Sequence, residues 1–253
     1  MPKPLDGKLA LVTGGGIGIG AAIATAFAKA GATVAITYRT HPPSDELVTA
    51  LTTPSGSRPV AIHFDAGAEA DLVASAKAMS CRFEKLDILV NNIGGLVRRS
   101  TIADMPYSLW REVMAVNLDT AFLVTQHLLP IMSRHNGRII NIASLAGRNG
   151  GHPGATAYAS SKAALFGFTR GLAKELAPEG ITVNALAPGF IEATPFHDTF
   201  TSTDSKRATV SSIPVGRAGT PRDVASAALW LASDDAAFVT GSVIDINGGQ
   251  YFG

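Results

Sequence analysis

The sequence predicts an α/β fold, a doubly wound parallel sheet with helices on both faces, built as one domain over residues 1–253. Three observations predict it. Short apolar runs alternate with helical patterns along the chain. Most of these runs are continuously apolar, as in strands covered on both sides. A glycine-rich string lies between the first run and the first helical pattern. Such a β-α-β rhythm gives parallel pairing through right-handed crossovers. At 253 residues, 46% hydrophobic and 16% charged, the chain can bury a sizeable core and is too apolar for disorder.

The strands expected are Leu9–Thr13, Thr33–Thr37, Val60–Phe64, Ile88–Val90, Arg138–Ala143, Thr182–Leu186 and Val243–Ile246. The helices expected are Gly18–Ala30, Ala68–Phe83, Ser108–Arg134, Ala155–Ala177 and Arg222–Ala232. Gly31 and Gly180 fall just past helical patterns, where a helix commonly stops. Pro130 ends or kinks the third pattern. No linker, repeat or low-complexity tract divides the chain. The least regular stretch, 192–212, is rich in Thr, Ser and Asp and reads as a substrate lid.

Composition excludes several functions. A net charge of +1 gives no electrostatic case for nucleic acid or an anionic membrane. Arg98-Arg99 reads as a solvated loop. Cys81 is the sole cysteine, so an internal disulfide is impossible and a thiolate metal site is not expected. The absence of disulfides suits a cytoplasmic protein. Leu9–Ala28 carries no charge over a bilayer's length. It contains Thr13 and five glycines, however, and reads better as strand, turn and helix. No signal peptide and no metal site are expected.

Thr13-Gly14-Gly15-Gly16-Ile17-Gly18-Ile19-Gly20 sits between strand and helix. Glycines there let the backbone approach a pyrophosphate, and a helix N-terminus offers N–H groups and partial positive charge. The second strand ends at Thr37-Tyr38-Arg39-Thr40, without the carboxylate that accepts from a ribose 2′-OH. Arg39 suits a 2′-phosphate instead. NADP(H) is therefore favoured, with NAD(H) the alternative. Asp65-Ala66 follows the third strand and Asn91-Asn92-Ile93-Gly94-Gly95 the fourth. Both lie at carboxyl ends of strands, where open α/β sheets bind ligands.

Tyr158 and Lys162 are four residues apart, on one helical face. A free phenol titrates near ~10. A neighbouring ammonium favours the phenolate and lowers that value. Ser144, fourteen positions upstream, closes the strand before.

Together these residues resemble the classical short-chain dehydrogenase/reductase family. The resemblance rests on Thr-Gly-x3-Gly-x-Gly at 13–20, Asn-Asn-x-Gly at 91–94, Asn117, Ser144, Tyr-x3-Lys at 158–162 and Pro188-Gly189. The run from Asn184 to Glu192 and the C-terminal segment are similar to those of 3-oxoacyl-(acyl-carrier-protein) reductase-like members. The resemblance implies a Rossmann-type sheet of seven strands. It implies a catalytic tetrad at Asn117, Ser144, Tyr158 and Lys162, with Tyr158 passing a proton to or from the substrate oxygen. Cofactor contacts are implied at Gly14, Gly18, Ile19, Gly20, Thr37, Arg39, Asp65, Ala66, Asn91, Tyr158, Lys162 and Ile191. The implied activity is hydride transfer between nicotinamide and a carbonyl or secondary alcohol, here 3-oxoacyl thioesters. The alternatives are a sugar or polyol dehydrogenase and, from another class, an inactive nucleotide sensor. An acyl carrier protein is the implied macromolecular partner, with Arg134, Arg138 and Lys174 as basic candidates. A homotetramer is the implied assembly. Three departures stand out: Ile17 where NADP-dependent members often carry a basic residue, Ile93 in Asn-Asn-x-Gly, and Ala193 where a threonine is usual, with Thr194 one later.

Overall fold

The computed structural model describes residues 3–40, 42–65, 69–192, 194 and 203–253. Seven strands form one parallel sheet: β1 (Leu9–Val12), β2 (Thr33–Tyr38), β3 (Val60–His63), β4 (Ile88–Asn91), β5 (Gly137–Ile142), β6 (Ile181–Pro188) and β7 (Val243–Ile246). Their spatial order is β3-β2-β1-β4-β5-β6-β7. The chain moves outward from β1 to one edge, returns to β4, and then moves to the other edge. The strand order therefore reverses between β1 and β4.

Alternation along each strand assigns the two faces. Val12, Val34, Ile36, Ile140 and Ile142 face one layer, with Ile23 and Phe27 of α1 (Gly18–Lys29). Val224, Ala228 and Leu231 of the late helix Pro221–Ala232 complete that layer. Leu11, Ala35, Leu89, Ile139 and Val183 face the other. All these residues are buried. The inner strands β5 and β6 are buried along their whole length, which explains their mainly apolar sequences, and their polar residues Arg138, Asn141, Thr182 and Asn184 are buried too.

The other helices are α2 (Asp45–Leu51), α3 (Glu69–Ser80), α4 (Tyr107–Met114), α5 (Thr120–Leu128), α6 (Ala146–Asn149), α7 (Thr156–Leu176), α8 (Thr203–Ser211) and α9 (Pro221–Ala232). Three of them, α2, α6 and α8, depart from the sequence expectation; α2 and α6 are too short for helical periodicity to mark. The long third pattern divides. α4 leads into a π-helical turn at Ala115–Asp119, then α5, and Pro130 sits in a closing 3₁₀ turn at Leu129–Ile131. Thr220 caps α9: its hydroxyl accepts from Asp223 N while the Asp223 carboxylate accepts from Thr220 N. Arg217 grips the same carboxylate with both terminal nitrogens and holds it well below the usual carboxylate range. Among the described residues no helix is long and apolar enough to cross a membrane.

Candidate active site

Every group proposed for chemistry sits at one rim of the sheet, beyond the carboxyl ends of β1, β2, β4, β5 and β6. The glycine turn leaves β1 and is fastened on both sides. Gly14 N donates to Thr37 Oγ1 at 2.8 Å, and Gly15 N to Thr37 O at 3.0 Å. From β4, Asn92 Nδ2 donates to Thr13 O and Gly14 O at 3.0 and 3.1 Å. Thr13 Oγ1 accepts from Asn92 N and Ile93 N.

Glycine is required here by space. A Cβ on Gly20 would lie 2.6 Å from Asn92 Nδ2, and one on Gly15 2.6 Å from Ile36 Cγ2. The inner side of the turn is thus filled, and its outer side opens on a cavity of about 850 Å3. That volume lies within the range of cofactor sites, about 300–1,000 Å3. Ile17, at the N-cap of α1, makes no side-chain cap and lines the cavity. The first-turn amides of α1 therefore have no side-chain partner from the cap, an arrangement suited to a pyrophosphate. The cavity runs from Arg39, just past β2, to Ser144, just past β5. Strands β1 and β4 lie between, so the run covers three strand spacings, about 14 Å at ~4.8 Å each. The residues present fit an extended dinucleotide.

At the far end, Ser144, Tyr158 and Lys162 line the same cavity. Lys162 is 3% exposed, and its Nζ donates to Ile142 O at 2.8 Å. Burial lowers its pKa to about 7. The Tyr158 pKa moves the other way from the sequence expectation. Burial raises it above 10.0, and the hydrogen bond with Ser144 only partly opposes that. Lys162 Nζ lies 5.8 Å from the centre of the phenol ring. Desolvation therefore wins over the cation, and Tyr158 is a protonated phenol at neutral pH.

Of the expected cofactor residues, Gly14, Gly18, Ile19, Gly20, Thr37, Arg39, Tyr158, Lys162 and Ile191 line the cavity. Asn91 does not. Its Nδ2 donates to Thr125 Oγ1 on α5 and to Asn141 Oδ1 on the neighbouring strand, at 3.0 and 2.9 Å. Its neighbour Asn92 faces the cavity instead. Asn91 closing an otherwise apolar strand, with Asn141 interrupting the apolar run of β5 in register beside it, is the sequence signal for that inward network. Asp65 stands one residue past Phe64, and of the two it is Phe64 that lines the cavity. Ala66 and Ala193 lie outside the described residues. Asn117, in the π-helical turn, is 1% exposed and lies behind the wall. Its Oδ1 accepts from Gly95 N at 3.0 Å, and its Nδ2 donates to Gly95 O and Val113 O at 2.8 and 2.9 Å. Its neighbour Val116 reaches the cavity. The lid stretch contributes Thr194, Thr209 and Ser212 to the lining. Gln250 was not expected; its Oε1 accepts from Phe190 N at 3.1 Å and steadies the backbone before Ile191.

A family model described as enoyl-(acyl carrier protein) reductase matches residues 15–250. The 3-oxoacyl-[acyl-carrier-protein] reductase FabG of Aquifex aeolicus (strain VF5) is 39% identical over 252 residues, covering 99% of this chain and 100% of the relative. The crystal structure of a blue fluorescent protein from a metagenomic library, in complex with NADPH, superposes with a TM-score of 0.85 at 34% identity, covering 99% of this chain and 100% of that one. An NADH-dependent reductase, A1-R′, responsible for alginate metabolism, superposes with a TM-score of 0.86 at 31% identity, covering 98% and 99%. A glycine turn, a single cavity joining it to Ser144, Tyr158 and Lys162, and full-length similarity of this kind mean that the chain belongs to the short-chain dehydrogenase/reductase family, NAD(P)-dependent oxidoreductases acting on CH–OH and C=O groups.

Proposed function

We propose that this chain is an NADPH-dependent carbonyl reductase acting on 3-oxoacyl thioesters, with Tyr158 as its proton donor. One observation carries this reading: Ser144, Tyr158 and Lys162 line the same cavity as the glycine turn, so a phenol O–H stands where a bound nicotinamide would meet a carbonyl. The reduced nicotinamide, when bound, supplies the hydride. The protein's part is to place the substrate oxygen between Ser144 and Tyr158, donate a hydrogen bond from the serine, and release the phenol proton as charge develops there. Lys162, poised near neutrality by burial, anchors the floor through Ile142 O. Asn117 acts as a positioning residue through Gly95. The lid reading of 192–212 rests on Thr194, Thr209 and Ser212 in the wall.

A screen of NADPH consumption over 3-oxoacyl thioesters, sugars, keto acids and cyclic ketones tests the substrate. Highest kcat/KM on the thioesters is expected, and faster turnover of a neutral sugar or cyclic ketone would overturn that assignment. The cofactor preference rests on Arg39, which is exposed and lines the cavity at the adenosine end. Arg39→Ala is expected to lower kcat/KM for NADPH about 10-fold or more while leaving NADH within about 3-fold, since a charge-assisted contact contributes about 1.5–3 kcal/mol. Equal effects on both cofactors would remove Arg39 from that role.

For an acyl carrier protein, the basic surface is smaller than the sequence suggests. Arg138 is 3% exposed and held by Asp234 and Ser233 O, and Arg134 pairs with Glu179. We also propose a cytoplasmic homotetramer assembled through α4, α5, α7 and the C-terminal segment. The support is apolar side chains left in water, Tyr107 at 75% exposed and Phe122 at 45%. Sedimentation as a monomer at micromolar concentration would refute it.

A further inference from the structure

Among the described residues, the charged side chains at the substrate end of the cavity are basic. Arg99 lines it together with His152, and Lys162 lies at its floor. Among the described residues no aspartate or glutamate lines this cavity. Arg99 does not reach the wall as part of a loose loop. Val97 holds φ +62°, and Arg98 N donates to Leu96 O at 2.8 Å, closing a γ-turn. A β-branched residue in that left-handed region is strained, and such strain gathers at functional sites. Past the turn the chain is stitched to the loop that follows Ser144. Ser100 N donates to Gly154 O at 3.0 Å, and Arg99 Nη1 to Pro153 O at 3.2 Å. Gly154 sits at φ +78°, and a Cβ there would lie 3.3 Å from Arg99 Cβ. Val97 packs against the same small apolar cluster as Tyr158, formed by Leu109, Val113 and Ala157. The guanidinium is therefore tied to the wall two residues from a side chain that shares this cluster with Tyr158.

We propose that Arg99 is a specificity-determining residue that receives an anionic group, a carboxylate or a phosphate, carried by the carbonyl substrate. This deepens the carbonyl-reductase reading and rests on it. A guanidinium binds either anion through paired N–H donors, and the charged side chains among the described lining residues are all basic, which favours an anion there. The anion has two sources: the carboxylate of a keto-sugar acid, or the phosphate of a phosphopantetheine thioester.

The experiment compares kcat/KM with NADPH for matched pairs on the full-length protein: 5-ketogluconate against fructose, and a 3-oxoacyl phosphopantetheine thioester against the pantetheine thioester lacking phosphate. The wild type is expected to favour the anionic member of one pair by about 10-fold or more, and the pair that shows the preference identifies the source. Arg99→Ala is expected to erase that preference through KM, leaving the neutral member within about 3-fold. Arg99→Lys should restore part of it, since charge remains and the paired geometry is lost. Equal rates within both pairs for the wild type overturn the proposal while leaving the carbonyl-reductase reading intact. Equal losses on anionic and neutral members in Arg99→Ala, with an unchanged melting temperature, overturn it too. No turnover of any carbonyl by the wild type removes the underlying reading, and the proposal with it.

Discussion

Replacing Tyr158 by phenylalanine lowers kcat for carbonyl reduction by about 10³-fold, at the centre of the range for a general acid. The ring stays, so packing against Leu109, Val113 and Ala157 stays with it. Cofactor affinity should change by less than about 3-fold, read by fluorescence titration with NADPH. A variant that keeps a tenth of the wild-type rate would exclude Tyr158 as the proton donor. The pH dependence follows from the same burial. The donating form exists below the phenol's pKa, which burial raises above 10.0. As far as Tyr158 decides it, reduction holds level through neutral pH and falls only beyond 10. Alcohol oxidation needs the phenolate and should climb with pH across 7–9. Reduction falling and oxidation staying level over that interval would contradict the assignment.

Gly94→Ala has the second large effect. Gly94 is not in a left-handed conformation, so the demand for glycine is one of space. A Cβ there would lie 2.7 Å from Asn117 Oδ1 and 2.7 Å from Lys162 Nζ. Neither atom is loose: the first accepts from Gly95 N, and the second donates to Ile142 O. One methyl group therefore displaces the positioning asparagine and the floor lysine together. The expected loss is about 100-fold in kcat, with about 1–3 kcal/mol of stability, as for overpacking in a core. Urea unfolding and steady-state kinetics on the same preparation separate the two effects. A kcat within about 3-fold of wild type would mean that the two side chains act independently of this contact.

Much of this architecture was legible in the sequence because its signals are local. Short apolar runs, most of them continuous, placed all seven strands, and the turn at 13–20 announced itself by composition and position. Tyr158 and Lys162 were legible because helical geometry fixes which residues share a face. What the chain did not disclose depends on distant partners. Nothing local distinguishes Asn91 from Asn92; Asn141 and Thr125 turn the first inward, while the second fastens the glycine turn. The sign of the Tyr158 shift was missed for a similar reason. Spacing gives the neighbouring cation, but the depth of burial that outweighs it comes from tertiary structure. Arg138 reads as a surface cation, yet β5 is buried end to end. Arg99 gave no signal of its own beyond a pair of arginines in a loop.

The strand order carries a consequence for how the chain reaches this state. β1 lies between β2, which follows it closely, and β4, whose Ile88 pairs with Ala10. The turn at 13–20 is likewise held from Asn92, 79 residues away from Thr13. Closing so long a loop costs chain entropy before any contact returns it. The first three strands alone would leave one edge of β1 unpaired and both anchors of the glycine turn from β4 missing. Nucleotide affinity should thus arise only after β4 has docked, late in folding. A fragment ending before residue 86 should expose that edge and aggregate rather than bind.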